Sequence, residues 1–414
     1  MPAVDEIDLS GQVFWRQPAP DREAAFAVLR REAPISWQRG PDSVLLPDQE
    51  TTGYWAVVRY DDVRSVSRDP ATFRSGEGVM FEDADPTLLE ASMSFLATDA
   101  PRHTKLRGLV NAAFTPRQVR RIEERISERA RQIVDELAPL GECDFVEQVA
   151  RRLPMITISE LMGVPESQRE EVTRAADELV GWNDPEVVGD REPIEMNFAG
   201  VIALTGIAAE MADHRAGHPS DDLMTALVQA EVDGERLLPE EIGAFFVLLS
   251  VAGNDTTRHT TSHALRALTE YPAQRRLLLE DVPGRIETAV EEFVRWATPV
   301  LTFRRTASRD TELRGQPIAE GDKVVLFYKA ANRDEEAFDH PERFDVLRSP
   351  NHHVGFGGGG PHYCLGASLA RTQLRSIFTE LLTRLPDIEA GEPEPLMGNF
   401  IDGIKRMPCS FTPR

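Results

Sequence analysis

Cys364 closes a run, Phe356-Gly-Gly-Gly-Gly-Pro-His-Tyr-Cys364-Leu-Gly366, whose glycines let the backbone approach something flat and bulky. A helical pattern starts near Gly366, so a thiolate at Cys364 would gain from free amide hydrogens and from the positive end of the helix dipole. As an axial iron ligand, such a thiolate pushes electron density onto the metal and favours O–O cleavage. Two plainer readings compete. Cysteine is often a small buried hydrophobe. Gly355-Phe-Gly357-Gly-Gly-Gly360 also matches a dinucleotide fingerprint, with Glu380 at a suitable distance. No βαβ pattern frames those glycines and Glu380 falls inside a helix, so the nucleotide reading fails on context.

Asp255 and Thr256 are the second reactive pair. They interrupt a long apolar helix, in Ala252-Gly-Asn-Asp-Thr-Thr257, where polar groups are costly without a purpose. A threonine hydroxyl can hold a water and an acid can relay protons from solvent. Gly253 would leave room for O₂ against the backbone. The alternative is that Thr256 merely bonds back to a carbonyl one turn earlier. Glu292 and Arg295 stand three apart on one helix and can pair, in a structural role.

These residues need a helical frame, and the sequence supplies it. Helices are expected over Asp21 to Arg31, from Pro116 (capped by Thr115), from Pro239 through Ala252 and beyond, over Val282 to Ala297, and over Gly366 to Leu385. The Pro239 helix is apolar on nearly every side and should run through the protein centre. Short strands are expected at Tyr54 to Arg59 and within Glu312 to Phe327, with turns at Gly315 and Gly321. No repeat or linker divides the chain, so one domain, 1–414, mainly α with a minor β part, is expected, with no separate reductase domain.

A net charge of −23 argues against nucleic acid as a partner. Three cysteines, Cys143, Cys364 and Cys409, make no disulfide framework and suit a reducing compartment. The first residues lack a signal-peptide pattern, and the longest apolar run, Ala244 to Ala252, is far too short to span a bilayer. The expectation is a cytoplasmic monomer with no membrane span.

Phe356 to Gly366 resembles the haem-binding loop of cytochromes P-450, and other segments agree in order. Ala252 to Thr257 resembles the family's oxygen-activation motif, and Glu292-Phe-Val-Arg295 its Glu-x-x-Arg pair. Pro341-Glu-Arg343-Phe344 is similar to the segment whose arginine completes that network. Asp99-Ala-Pro-Arg-His103 with Arg107, and Arg305-Thr-Ala, resemble the propionate-binding segments. The family usually has the Phe seven residues before the Cys, and here Phe356 is eight before Cys364. The actinobacterial group that hydroxylates methyl-branched lipids and sterol side chains has the same long loop. Ala331-Asn-Arg-Asp334, the run to Arg258, and Phe400-Ile-Asp-Gly-Ile-Lys405 also look like that group.

The resemblance implies a triangular, helix-rich prism with haem b between the central helix and the helix after the Cys loop. It implies a monooxygenase that puts one atom of O₂ into a C–H bond, with Cys364 as iron ligand and Asp255 and Thr256 catalytic. Haem would lie against His103, Arg107, Ala252, Gly253, Thr256, Arg305, Phe356, Gly357, His362, Cys364 and Gly366, with Arg304 the alternative to Arg305. Substrate would touch Met80, Phe81, Met93, Phe95, Leu96, Leu248, Ala252, Val300, Leu301, Phe400 and Ile401. These segments are apolar, which suits terminal hydroxylation of a methyl-branched lipid, a fatty acid or a sterol side chain. A terpenoid or polyketide is the alternative within the family, and a haem sensor or carrier the alternative outside it. Electrons would come from NAD(P)H through an external ferredoxin and ferredoxin reductase. The docking site would be the basic cluster of Arg102, Lys105, Arg107, Arg117, Arg120, Arg121 and Arg125.

Overall fold

The structure, a computed structural model, describes the chain except for Met1, residues 47–50, Ala84, Ala112, Ala113, Thr115 and Asp233. The side chains of Ser92, Met93, Pro116, Arg117, Gln118, Arg121, Val232 and Glu235 also lie outside the described residues. Helices dominate, and they start where proline and a capping residue direct them. Asp281 accepts from the Gly284 amide at 3.0 Å and opens the helix Val282–Ala297. Pro116–Leu137 is a helix as expected, but its expected cap, Thr115, falls outside the described residues.

The helix Ala367–Arg384 packs along both Pro116–Leu137 and Val282–Ala297. Ile133, Phe293, Phe344, Phe378 and Leu381 fill the space between them, and the Phe293 and Phe378 rings lie 4.8 Å apart. Each such side chain contributes about 1.5–3 kcal/mol by leaving water. This bundle fixes the axis of the helix that begins just after Cys364.

The β part includes a five-stranded sheet in the order Ile35–Gln38, Tyr54–Val57, Lys323–Phe327, Thr302–Ala307, Phe73–Arg74. Its central strand, Lys323–Phe327, is antiparallel to Thr302–Ala307, with Arg304 opposite Val325 and Arg305 opposite Val324. Successive side chains on a strand point to opposite faces, so Arg304 and Arg305 enter different surroundings.

The central helix is divided, where the sequence pattern suggested continuity. Pro239–Ala252 ends at Gly253, and Asp255–Glu270 resumes after Asn254. The Thr256 hydroxyl donates to the Ala252 carbonyl at 3.0 Å, and a side chain on that acceptor loosens the helical ladder. Thr260, Thr261 and Ser262 donate to carbonyls four residues back at 2.8–3.0 Å, which satisfies a buried polar run inside the protein. Among the described residues one helix, Pro193–Gly217, is long and apolar enough to cross a membrane by length and composition. It packs against Pro239–Ala252.

Candidate active site

The cysteine loop is closed by its own backbone. The Cys364 amide donates to the Phe356 carbonyl at 2.9 Å, across the glycine run and despite its extra residue. Gly357, Gly359 and Gly360 take φ of +97°, +97° and +73°. A Cβ on Gly360 would lie 2.2 Å from the Ser67 carbonyl, and one on Gly358 2.5 Å from the Ser67 hydroxyl. These glycines therefore serve close packing against the helix Tyr60–Arg68. Gly357 and Gly366 face the other way, toward open space: a Cβ there meets nothing closer than 3.9 Å or nothing within 4 Å. Phe356 is held under the Arg371 guanidinium, 4.4 Å from the ring, and Arg371 grips Glu291 at 2.6 and 2.8 Å.

Cys364 is accessible, just ahead of the helix Ala367–Arg384. Burial pushes its thiol pKa up. The Gly366 and Ala367 amides and the Arg107 and Arg371 charges pull it back down, as a helix N-terminus should. Arg107 also donates to the Tyr363 carbonyl, next to the cysteine.

A second cluster holds cationic and imidazole groups. The His103 and His362 rings lie 4.2 Å apart, and His103 Nε2 and His362 Nδ1 are buried without a partner. Burial, then Arg305, His103 and Arg107, push the His362 pKa down to about 2. Arg304 is engaged with Asp83 at 2.6 Å and the Glu77 carbonyl at 2.8 Å. Arg305 donates to the Arg304 carbonyl at 2.7 Å and has no ion pair among the described residues. Two guanidinium groups, Arg107 and Arg305, and two neutral imidazoles that each keep an orphaned buried nitrogen make a site for one or two carboxylates.

Asp255 is fully buried, and burial raises its pKa to about 7. Arg258 Nη2 sits 2.7 Å from Asp255 Oδ1 as an ion pair, but off the hydrogen-bond line, so both carboxylate oxygens lack a hydrogen bond. Arg258 also donates to Asp177 at 2.7 Å, and the Asp177 side chain is about one-third exposed. Solvent, Asp177, Arg258 and Asp255 thus form a continuous line. A Cβ on Gly253 would strike Ile158 at 2.4 Å, so glycine there admits the neighbouring helix Arg152–Met162.

Above Ala252 and Thr256 lies a cavity walled by Met80, Leu96, Leu248, Val300, Phe400 and Ile401, all expected from sequence. Phe81, Phe95 and Leu301, also expected, are instead core residues: Phe81 packs edge-on to Tyr54, and Phe95 lies beside His103 and Phe245. Met93 lies outside the described side chains. Leu179, Trp182, Asn197 and Phe303 are among the other residues of the wall and carried no local sequence signal.

The Glu292–Arg295 pair is fully buried, with two contacts of 2.7 Å. Its third member is Arg348, whose Nε donates to Glu292 at 3.2 Å. Arg343, expected there, offers only its carbonyl, while its guanidinium projects into solvent. The Phe344-Asp-Val-Leu-Arg348 stretch was the available signal.

The cytochrome P450 family model matches residues 146–397. The chain belongs to the cytochrome P450 family. It is 43% identical over 413 residues to a methyl-branched lipid omega-hydroxylase of Mycobacterium tuberculosis, covering 99% of this chain and 95% of that one. A steroid C26-monooxygenase of Rhodococcus jostii is 43% identical, with 98% and 84% covered. A Mycobacterium marinum cytochrome P450 solved in complex with pseudoionone superposes with a TM-score of 0.96 at 56% identity, covering 99% and 100%. This cytochrome P450 is a monooxygenase of apolar substrates that uses haem with a cysteine thiolate ligand, O₂, and electrons from NAD(P)H through redox partners such as ferredoxin and its reductase. The residues fit the haem: an accessible thiol at a helix N-terminus, two glycines with open faces, and orphaned imidazole nitrogens for its carboxylates.

Proposed function

We propose that this cytochrome P450 hydroxylates the terminal methyl of a methyl-branched lipid, a fatty acid or a sterol side chain. The carrying observation is the cavity: its walls are aliphatic and aromatic, and its polar groups are Asp255, Thr256 and Asn197. About 0.8 kcal/mol per buried methylene lets a long chain bind at micromolar levels without ionic anchors. Two relatives named for such substrates support the reading. Oxidation of a terpenoid or other compact metabolite is the second reading, favoured by the relative bound to pseudoionone.

Haem bound through Cys364 supplies the oxygen-activating chemistry. Phe356, Gly357 and Gly366 would seat it, Ala252 and Thr256 would lie against it, and His103, Arg107, Arg305 and His362 would hold its carboxylates. Arg305 is preferred to Arg304 because Asp83 already occupies the latter. Thr256 keeps a water in place and Asp255 in its protonated form donates inward, while Arg258 holds it beside the part-exposed Asp177, where solvent can re-protonate the pair. A ferredoxin docks over the helix Pro116–Leu137, which packs behind the cysteine helix. Arg120 and Arg125 are exposed there, and Arg117 and Arg121 complete the basic stretch by sequence. Arg102 is exposed but paired with Glu241 at 3.1 Å, and Arg107 is turned onto the Tyr363 carbonyl.

The test is regiochemistry. Methyl-branched fatty acids and sterols are screened for a low- to high-spin Soret shift, then turned over with redox partners, and the hydroxyl is located by mass spectrometry. Terminal hydroxylation supports the proposal. In-chain products, or spin shifts confined to compact terpenoids, move the substrate to the second reading.

A further inference from the structure

Cys143 and Cys409 lie far from each other in sequence and from the haem loop, and neither takes part in the chemistry above. They face each other across two antiparallel strands, Glu142–Asp144 and Pro408–Ser410, in register. Their sulfurs are 3.3 Å apart, the thiol of one in contact with the sulfur of the other. Cys143 is partly accessible and Cys409 is buried. The amide of Phe145 donates to the Met407 carbonyl and that of Phe411 to the Gly141 carbonyl, at 2.8 Å each, so both strands are clamped on either side of the pair.

Directly paired strand positions bring Cα atoms within the range that a disulfide spans, and no backbone movement is needed to bring these sulfurs together. We propose that Cys143 and Cys409 are a peroxide-oxidisable dithiol, which closes to an internal disulfide joining the C-terminal strand to the strand after Pro116–Leu137. The two thiols are unequal. The hydrogen bond from Cys409 lowers the Cys143 pKa, and the same contact with burial raises that of Cys409. Cys143 is therefore the attacking thiolate.

The oxidant is hydrogen peroxide. The Cys143 sulfur attacks one peroxide oxygen, an S–O bond forms, the O–O bond breaks, and hydroxide leaves and is protonated to water. The Cys409 sulfur, losing its proton, then attacks the Cys143 sulfur; the S–S bond forms, the S–O bond breaks, and a second water leaves. Two thiols are oxidised and one peroxide is reduced to two waters. The crosslink would brace Pro408–Ser410, the second strand after Phe400 and Ile401, two walls of the substrate cavity.

The haem-loaded protein is treated with equimolar hydrogen peroxide, quenched with an alkylating agent under denaturing conditions, and mapped by mass spectrometry. The expected result is a Cys143–Cys409 crosslinked peptide, two hydrogens lighter and reversed by dithiothreitol, with a raised melting temperature. Cys409→Ser should lose the crosslink and leave a dimedone-reactive sulfenic acid at Cys143, and Cys143→Ser should lose both. Full alkylation of both cysteines after peroxide treatment overturns the proposal. So does a sulfenic acid that appears on Cys409 instead.

Discussion

Thr256 donates its hydroxyl proton to the carbonyl of Ala252, 3.0 Å away, and so meets the substrate cavity with its oxygen lone pairs. A hydroxyl in this state accepts a hydrogen bond from water at the cavity end. Thr256→Ala should bind haem and substrate normally but lose about tenfold or more in product formed per NAD(P)H consumed, with electrons appearing as hydrogen peroxide. Thr256→Ser should restore most of the coupling. Unchanged coupling in the alanine variant would reduce the residue to packing.

Asp255 titrates near 7 because burial outweighs its pairing with Arg258. The protonated acid is the form that can donate, so proton delivery should fall as pH rises through about 7. Product formation under proton-limited conditions should show that step, and a solvent deuterium effect should be larger in Asp255→Asn, in which the step is lost. Stability follows the same direction. The neutral acid is the one tolerated by burial, so the part of stability it carries is full below its unfolded value of about 4 and declines as pH rises through about 7. Urea midpoints of wild type and Asp255→Asn should converge below about pH 4, draw apart between about 4 and 7, and stay apart above 7, with the variant the more stable there.

Gly366 has open space where a side chain would stand, and its φ of −83° is one that any residue adopts. Gly366→Leu should therefore fold yet lose most of its haem, read as the ratio of Soret to protein absorbance. Gly206→Leu, on the outer face of Pro193–Gly217 and equally unobstructed, is the control and should retain haem. Equal haem content in the two variants would put the cofactor elsewhere.

Arg348 and Arg343 should differ sharply. Arg348→Ala strands one side of a fully buried carboxylate and should cost about 3 kcal/mol or more in denaturant unfolding. Arg343→Ala removes a solvated side chain and should stay within about 0.5 kcal/mol, since its carbonyl contacts survive. The reverse order would return Arg343 to the network.

The sequence by itself determined the parts that depend on neighbours along the chain. A glycine run ending in Cys364 before a helix, Glu292 and Arg295 three apart on one turn, and Asp255-Thr256 in an apolar helix all follow from local spacing, because a helix or a tight loop brings such residues together wherever it is placed. Met80, Leu248, Val300 and Phe400 were legible too, by family likeness. The tertiary structure decided what depends on direction and distance. Strand alternation and Asp83 sent Arg304 away from the site and left Arg305 beside His103 and His362. Packing of Ile158 explained Gly253, and the path of the chain after Phe344 put Arg348 rather than Arg343 on Glu292. Cys143 and Cys409 became partners only when two strands, 266 positions apart in the chain, were laid side by side. Sequence spacing fixes which residues share a turn; which turns face each other is set by how the apolar faces of distant elements bury one another, and that is a property of the whole fold.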